Sequence, residues 1–575
     1  MPVQSSWGAI RPYRARIVFG CAVLIVATSL GTILPYVLGL AVDATLSGGH
    51  VVRLAGVILA LAIVQAMARS VGNITLYGTA RKAEHDLRMA TFSHLAYADA
   101  AMLREYQTGD LVARMTADLQ TMMWMWGHGI SVAFGIACLF LFSMIAMIVI
   151  DPILTLWAFG PIPIVIIATR YLTARVKQRN AEANSMRGQL SSAVHEDVSG
   201  IGAIRNYQAE PQRTKKFGEL SQQLTRGSLG AQFVAGLYGP LTATFVAIGT
   251  AAVLWRGGIA VTDGRLRLGS LVQFNGYLIQ LSGRVVMLAS VMPLFQQGEA
   301  AWQRITKLLS RAPTIVDGSG PPLPTEVKGH VEMRGLTIEV EGTKLLDGLS
   351  FDVRPGTFTA IVGRVGAGKT TLVQAIPRLL DVGPGQLFIE DRDITDLPLA
   401  SLRGSIAYAP QHAQLLSASI ADNIAFGIDG SPESVRARVL AAAATAGLEP
   451  DLAGLPEGID TQVGERGVML SGGQRQRVAL ARAIASDRPI LLLDDSLSAV
   501  DTKTERRIID KLIDTARGRT VIMVSHRVTV TTRAHEIAVL DNGRLVEHGT
   551  HDDLSARNGV YAELYRAQIE EEAAA

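Results

Sequence analysis

Cysteine is nearly absent: the 575 residues hold two, Cys21 and Cys138, both inside long apolar stretches. That excludes a disulfide framework and a thiolate metal site, and leaves core or lipid-facing packing for both. A charge excess is missing as well. Lys and Arg number 54 against 51 Asp and Glu, a formal balance of +3, which argues against a nucleic-acid-binding protein. Beyond residue 300 there is no apolar run of membrane length. Before it there are six, and the overall hydrophobic fraction of 49% is too high for one soluble domain.

The six runs lie at 17–42, 54–80 (interrupted by Arg69), 121–150, 152–169, 228–255 and about 268–298 (interrupted by Arg284). Roughly 20 apolar residues cross a bilayer, and longer runs tilt or extend past it. The first run is too long for a signal-peptide core, lacks a convincing cleavage site and is expected to be retained. Arg11, Arg14 and Arg16 precede it, Arg81 and Lys82 follow the second, and Arg170, Arg175, Lys177 and Arg179 follow the fourth. The loops after the first, third and fifth runs are short and poor in basic residues. The positive-inside rule then places both termini and the soluble half in the cytoplasm. The Ala/Arg-rich composition fits the cytoplasmic (inner) membrane of a bacterium.

The soluble half carries the chemistry. In "TAIVGRVGAGKTTLVQAI", 359–376, a buried strand runs through a glycine loop into a helix. Gly363, Arg364, Val365, Gly366, Ala367, Gly368, Lys369 and Thr370 satisfy G-x-x-x-x-G-K-[ST], with Thr371 next in the helix. The glycines let backbone N–H groups approach phosphate oxygens, and the helix N-terminus adds its positive end. Lys369 then reaches the β/γ-phosphates and the Thr370 hydroxyl a Mg²⁺ ion. In "PILLLDD", 489–495, an apolar strand ends in two acids, and Asp494 at its tip is placed to hold that Mg²⁺ through water. In "LSGGQRQRVALARAI", 470–484, Ser471, Gly472 and Gly473 open a helix whose N–H groups and hydroxyl can face an anion.

"LSGGQ" between such a loop and such a strand resembles the signature of the ABC transporter ATPases, with Gln474 as its last residue. The other elements of that family stand in order. Gln411 in "YAPQHAQLL" resembles the Q-loop, Ser498–Asp501 the D-loop and His526 in "VIMVSHR" the switch histidine. The resemblance extends into the apolar half, where "QTGDLVARMTADLQ", 107–120, and "HEDVSGIGAIRNYQAE", 195–210, are similar to the cytoplasmic coupling loops of exporter-type members. It implies a membrane α-helical six-span domain over 1–310, with coupling loops near 95–120 and 190–215. A linker over 311–327 then leads to a soluble α/β P-loop ABC ATPase domain over 328–575. It implies ATP and Mg²⁺ as ligands, with Thr370, Gln411 and Asp494 serving the metal. One such chain is a half-transporter, so a second half-transporter subunit is implied as partner, alongside the lipid bilayer and a small-molecule or lipid-like substrate.

The family sandwiches ATP between one subunit's phosphate loop and the other's signature serine, and a glutamate after the metal-associated aspartate polarises the attacking water. Here that position is Asp495. One methylene fewer withdraws the carboxylate by about 1.5 Å, and general-base catalysis of roughly 10²–10⁴-fold depends on hydrogen-bond reach. A second departure is Val340, where members place an aromatic ring against adenine; base stacking is worth roughly 1–3 kcal/mol. The expectation is a site that binds ATP and hydrolyses it slowly, unless the backbone shifts to bring Asp495 within reach. Since Ser471–Gln474 and His526 are intact, the chain is suited to a heterodimer in which its signature serves a competent partner site. A homodimer is the alternative.

For substrate the sequence offers little. Arg69 and Arg284 lie roughly 24–27 Å from the external ends of their runs at 1.5 Å per residue. They either receive an anionic or amphiphilic substrate or are cytoplasmic-side arginines obeying the positive-inside rule. "TMMWMWGHG", 121–129, reads as an interfacial anchor or an adaptable apolar surface. An exporter of lipophilic or amphipathic compounds leads, with a siderophore-type importer and an ATP-gated channel or regulator as alternatives.

Overall fold

The computed structural model describes residues 5–574 except 100, 101, 104, 161, 341, 465–468, 499, 501, 516, 517 and 526. The chain divides into two compact units: residues 1–96 with 106–311, and residues 97–105 with 312–575.

The first unit is helical. Among the described residues four helices are long and apolar enough to cross a membrane: Arg11–Ser47, Val51–Ala96, Thr108–Ile150 and Glu210–Thr262. They carry the first, second, third and fifth apolar runs. The fourth run falls on Pro152–Phe159 and the start of Ile162–Ser199, and the sixth on Leu268–Leu309. Small residues let these helices approach closely, as expected where lipid supplies no hydrophobic drive between them. A Cβ on Gly269 would stand 2.1 Å from the Gly39 carbonyl oxygen. The helix Thr108–Ile150 is not uniform. Two stretches, Arg114–Asp118 and Met125–Gly129, wind as π-helix. At the first, the Arg304 guanidinium on Leu268–Leu309 grips the Asp118 carboxylate through two hydrogen bonds of 2.8 and 2.5 Å.

The second unit is α/β. A six-stranded sheet has the order β10-β9-β3-β8-β7-β6, where β3 is Phe358–Gly363, β6 Ile406–Ala409, β7 Ile490–Asp494, β8 Thr520–Val524, β9 Glu536–Asp541 and β10 Arg544–Gly549. All neighbours are parallel except β10 on β9. Every residue of β3, β7 and β8 is buried, so these strands read as continuous apolar runs rather than alternating ones. An antiparallel sheet pairs β1 (Val331–Val340) with β2 (Thr343–Val353) and with β4 (Leu387–Ile389), which pairs with β5 (Arg392–Asp393). The stretch 97–105 belongs to this unit through Asp99. Its carboxylate accepts from the Thr314 hydroxyl at 2.7 Å and from the N–H groups of Thr314, Ile315 and Met102. In doubly wound sheets ligands bind beyond the carboxyl ends of the strands. Here β3 and β7 flank β8 and deliver the glycine loop and Asp494 to the same end.

Candidate nucleotide site

The glycine loop leaves β3 at Gly363 and enters the helix Lys369–Ala375. Two glycines are required by their surroundings. Gly363 has φ 153° and its Cβ would meet the Leu540 carbonyl oxygen at 2.1 Å; Gly368 has φ 93° and its Cβ would meet that of Leu345 at 2.7 Å. Between them Arg364 and Val365 are exposed, Gly366 has open space around it, and Ala367 is buried beneath the loop, its carbonyl accepting from Gly543 N–H at 3.3 Å. The Lys369 ammonium folds over the loop and donates to the Gly363 and Arg364 carbonyls at 2.8 Å each. Burial lowers its pKa, while Asp495 and Asp494 oppose that shift. Arg364 also pairs with Glu563 on the helix Val560–Ala574 at 3.4 Å.

At the second residue of that helix, the Thr370 hydroxyl donates to Asp494 Oδ1 at 3.0 Å. The pair joins residues 124 apart in sequence and sets a hydroxyl beside a carboxylate at the head of the loop. Hard oxygen donors of this kind suit Mg²⁺, which takes few protein ligands and completes its shell with water and phosphate. Asp494 is 1% exposed. Burial raises its pKa, Thr370 and Tyr408 hydrogen bonds and Lys369 work against that, and Asp495 adds to it. Tyr408, on the neighbouring strand β6, donates to Asp494 Oδ2 at 3.4 Å; burial and then Asp494 push its phenol up to about 12, so it remains a donor. Sequence reading missed Tyr408. Its signal was the aromatic in an otherwise apolar strand three residues before Gln411.

Asp495 begins the turn after β7. Its backbone is left-handed, φ 46°, which aspartate tolerates better than most residues. Its N–H donates to the Val524 carbonyl at 3.1 Å and its carbonyl accepts from Ser498 N–H at 3.3 Å. The Cα is thus pinned to β8, and the side chain is half-buried.

Ser471 is the N-cap of the helix Gly472–Ala485. It forms a capping box: its hydroxyl accepts from Gln474 N–H at 3.2 Å and its N–H donates to Gln474 Oε1 at 2.8 Å. The Gln474 amide nitrogen donates to Asp451 at 3.1 Å, which fixes the box from behind. Ser471 and Gly472 are exposed and Gly473 half-buried, and nothing lies within 4 Å of a Cβ on Gly472. The end is exposed, with one hydroxyl lone pair already engaged.

Two residues on this helix hold the loops around the site, and sequence reading missed both. Gln476 Nε2 donates to the Gln411 carbonyl at 3.3 Å and to the Ser498 hydroxyl at 2.9 Å. Arg482 donates to the Gln414 carbonyl at 3.1 Å and to Asn423. Arg527 donates to the Ser498 and Val500 carbonyls and pairs with the fully buried Glu505. His526 and Asp501 lie outside the described residues. Val340 ends β1 half-buried against the apolar core and brings no ring.

The chain matches the family model of the ABC transporter transmembrane region over residues 17–285 and that of the ABC transporter over 346–498. It is 34% identical to the "Probable multidrug resistance ABC transporter ATP-binding/permease protein YheI" of Bacillus subtilis, over 86% of this chain and 84% of that protein. It is 31% identical to the "Multidrug resistance-like ATP-binding protein MdlA" of Escherichia coli, over 98% of this chain and 96% of the other. An "ATP-dependent lipid A-core flippase" of Pseudomonas fluorescens is 30% identical over 98% and 96%. A solved bacterial Atm1-family ABC exporter with ATP bound superposes with a TM-score of 0.79 at 28% identity, covering 96% of this chain and 98% of that one. With the phosphate loop and the acid strand at one end of the sheet and the signature opening the helix Gly472–Ala485, the chain belongs to the ABC transporter superfamily, as an exporter-type half-transporter fusing a helical membrane domain to an ABC ATPase domain.

Proposed function

We propose that this chain is one subunit of a heterodimeric exporter of lipophilic or amphipathic compounds, whose own phosphate loop holds MgATP and hydrolyses it slowly. Lys369 and the loop N–H groups take the phosphates; Thr370 and Asp494, with Gln411, hold the Mg²⁺ that neutralises developing charge. Asp495 stands where the water-polarising carboxylate belongs. The observation that carries the slow-site reading is the pinned backbone of Asp495, bonded to Val524 and Ser498. A fixed Cα leaves a short arm no way to regain its reach. The intact capping box at Ser471 supports a signature that serves the partner's ATP. Relatives named for multidrug resistance and lipid A-core flipping support an amphipathic substrate class.

Native mass spectrometry of the full chain isolated from its own host tests this, combined with ATP turnover of the same preparation. A second subunit of similar size, with turnover abolished by removing the partner's catalytic carboxylate, is the expected result. A homodimer with robust turnover overturns the asymmetric reading.

A further inference from the structure

Arg69 and Arg284, more than two hundred residues apart, line one cavity of about 220 Å³ in the membrane unit. Asn73, Tyr77, His128 and Ser131 share its wall, and the remainder is small, aliphatic or thioether. Among the described residues no carboxylate lines this cavity, and neither guanidinium forms an ion pair. Charges within spans are costly and ordinarily find a counter-charge or a polar path. Here the counter-charge is not supplied by the wall.

The polar wall is held in place by its own hydrogen bonds. Tyr77 hydroxyl and His128 Nδ1 are 2.7 Å apart, and Ser131 Oγ donates to Asn73 Oδ1 at 2.6 Å. With the Asn73 oxygen engaged, its amide NH₂ is the end left to donate. In the tautomer where Tyr77 donates to Nδ1, the His128 proton sits on Nε2 and adds a further donor. His128 comes from the π-helical stretch Met125–Gly129, a widened turn of the kind often found at functional sites.

We infer that this cavity receives the anionic head group, a phosphate or carboxylate, of the transported amphiphile. Two guanidinium forks offer parallel donors that match such groups bidentately. The volume equals about seven waters at about 30 Å³ each. It falls below the roughly 300 Å³ at which drug-sized pockets begin, so it suits a head group rather than a whole lipid. The inference rests on the reading of the chain as an exporter of amphipathic compounds and narrows that class to anions.

Trp124 supplies a local reporter, packing edge-on to Tyr77 and His128 with ring centroids 6.0 and 6.1 Å away. The test uses the full chain in its native assembly, in phosphatidylcholine nanodiscs. Tryptophan emission is titrated with decyl phosphate, decyltrimethylammonium and inorganic phosphate, with Trp124→Phe as the control for assignment. Decyl phosphate is expected to bind at least about ten-fold more tightly than the ammonium. That preference should vanish in Arg69→Gln/Arg284→Gln and survive in part in Arg69→Lys/Arg284→Lys. Binding of inorganic phosphate as tight as decyl phosphate assigns the cavity to a soluble anion and overturns the amphiphile. Equal affinity for phosphate and ammonium amphiphiles in the unmodified protein overturns the inference without recourse to any variant. If ATP turnover and ATP-driven transport are present in that case, the exporter reading stands and only the head-group site falls. If both are absent, the exporter reading fails whatever binds.

Discussion

The Gln476 side-chain amide lies 2.9 Å from the Ser498 hydroxyl and 3.3 Å from the Gln411 carbonyl. One NH₂ group on the signature helix therefore ties the loop after β6 to the turn after β7. A change in either loop is felt by the helix whose exposed end is the signature.

Replacing Gln476 by alanine removes both bonds without touching the glycine loop. Two hydrogen bonds at about 0.5–1.5 kcal/mol each predict a fall of about ten-fold in kcat for ATP, with KM changed by less than about two-fold. Steady-state kinetics on the assembled transporter separates the two. A raised KM with unchanged kcat would show that Gln476 supports nucleotide binding and not turnover.

Asp495→Glu restores one methylene to a side chain whose Cα is pinned by Val524. If arm length limits this site, ATP turnover there rises by about ten-fold or more, a modest share of what general-base catalysis supplies. If a partner site carries the hydrolysis, Asp495→Ala leaves turnover of the assembled transporter nearly unchanged. Loss of turnover in Asp495→Ala would make Asp495 a working base.

Gly368→Ala places a methyl 2.7 Å from the Leu345 carbonyl oxygen at a φ of 93°. Left-handed strain of about 1–3 kcal/mol plus the collision predicts at least a ten-fold loss of ATP affinity. Gly366→Ala, at φ 84° with no atom within 4 Å, meets the strain alone and loses less. Equilibrium binding of a fluorescent ATP analogue ranks the two.

His548 on β10 packs edge-on against Phe351 with centroids 5.0 Å apart, and its Nε2 lies 3.3 Å from Glu536. Burial, then the Arg354 and Arg557 charges, hold its pKa below the ordinary 6.5, with Asp352 opposing. A depressed pKa means that the unfolded chain binds the proton more readily. The contribution to stability is full above pH about 6.5 and is lost as pH falls from there through the folded value. Protection factors in β9 and β10, which correct for the slower base-catalysed intrinsic exchange in acid, should fall on acidification from pH 7.5 to 5.5, and His548→Gln should flatten that dependence.

The fold class and the nucleotide site were legible because their signals are local. Gly363 to Thr370 and Ser471 to Gln474 are contiguous, and Asp494 is announced by three leucines. What sequence reading missed depends on azimuth and on contacts between distant segments. Tyr408 meets Asp494 across 86 positions, and only the β6–β7 pairing puts them side by side. Arg69 and Arg284 could be assigned a similar depth from their runs, but nothing local says which way each helix turns. The two π stretches also break the 3.6-residue period on which such a reading relies.

The π turn at Met125–Gly129 also bears on how a transporter of this build changes its preferences. Such a turn accommodates one residue more than an α-helical turn, and one residue is about 100° of rotation. Deleting a single position there would return the helix to regular winding while leaving Trp124 and Ile130–Ile150 nearly in register, because the widened turn already absorbs the extra residue. A gain or loss of one codon at this turn would therefore act on the backbone that carries His128, and on the part of the cavity wall it forms, while the rest of the helix keeps its place.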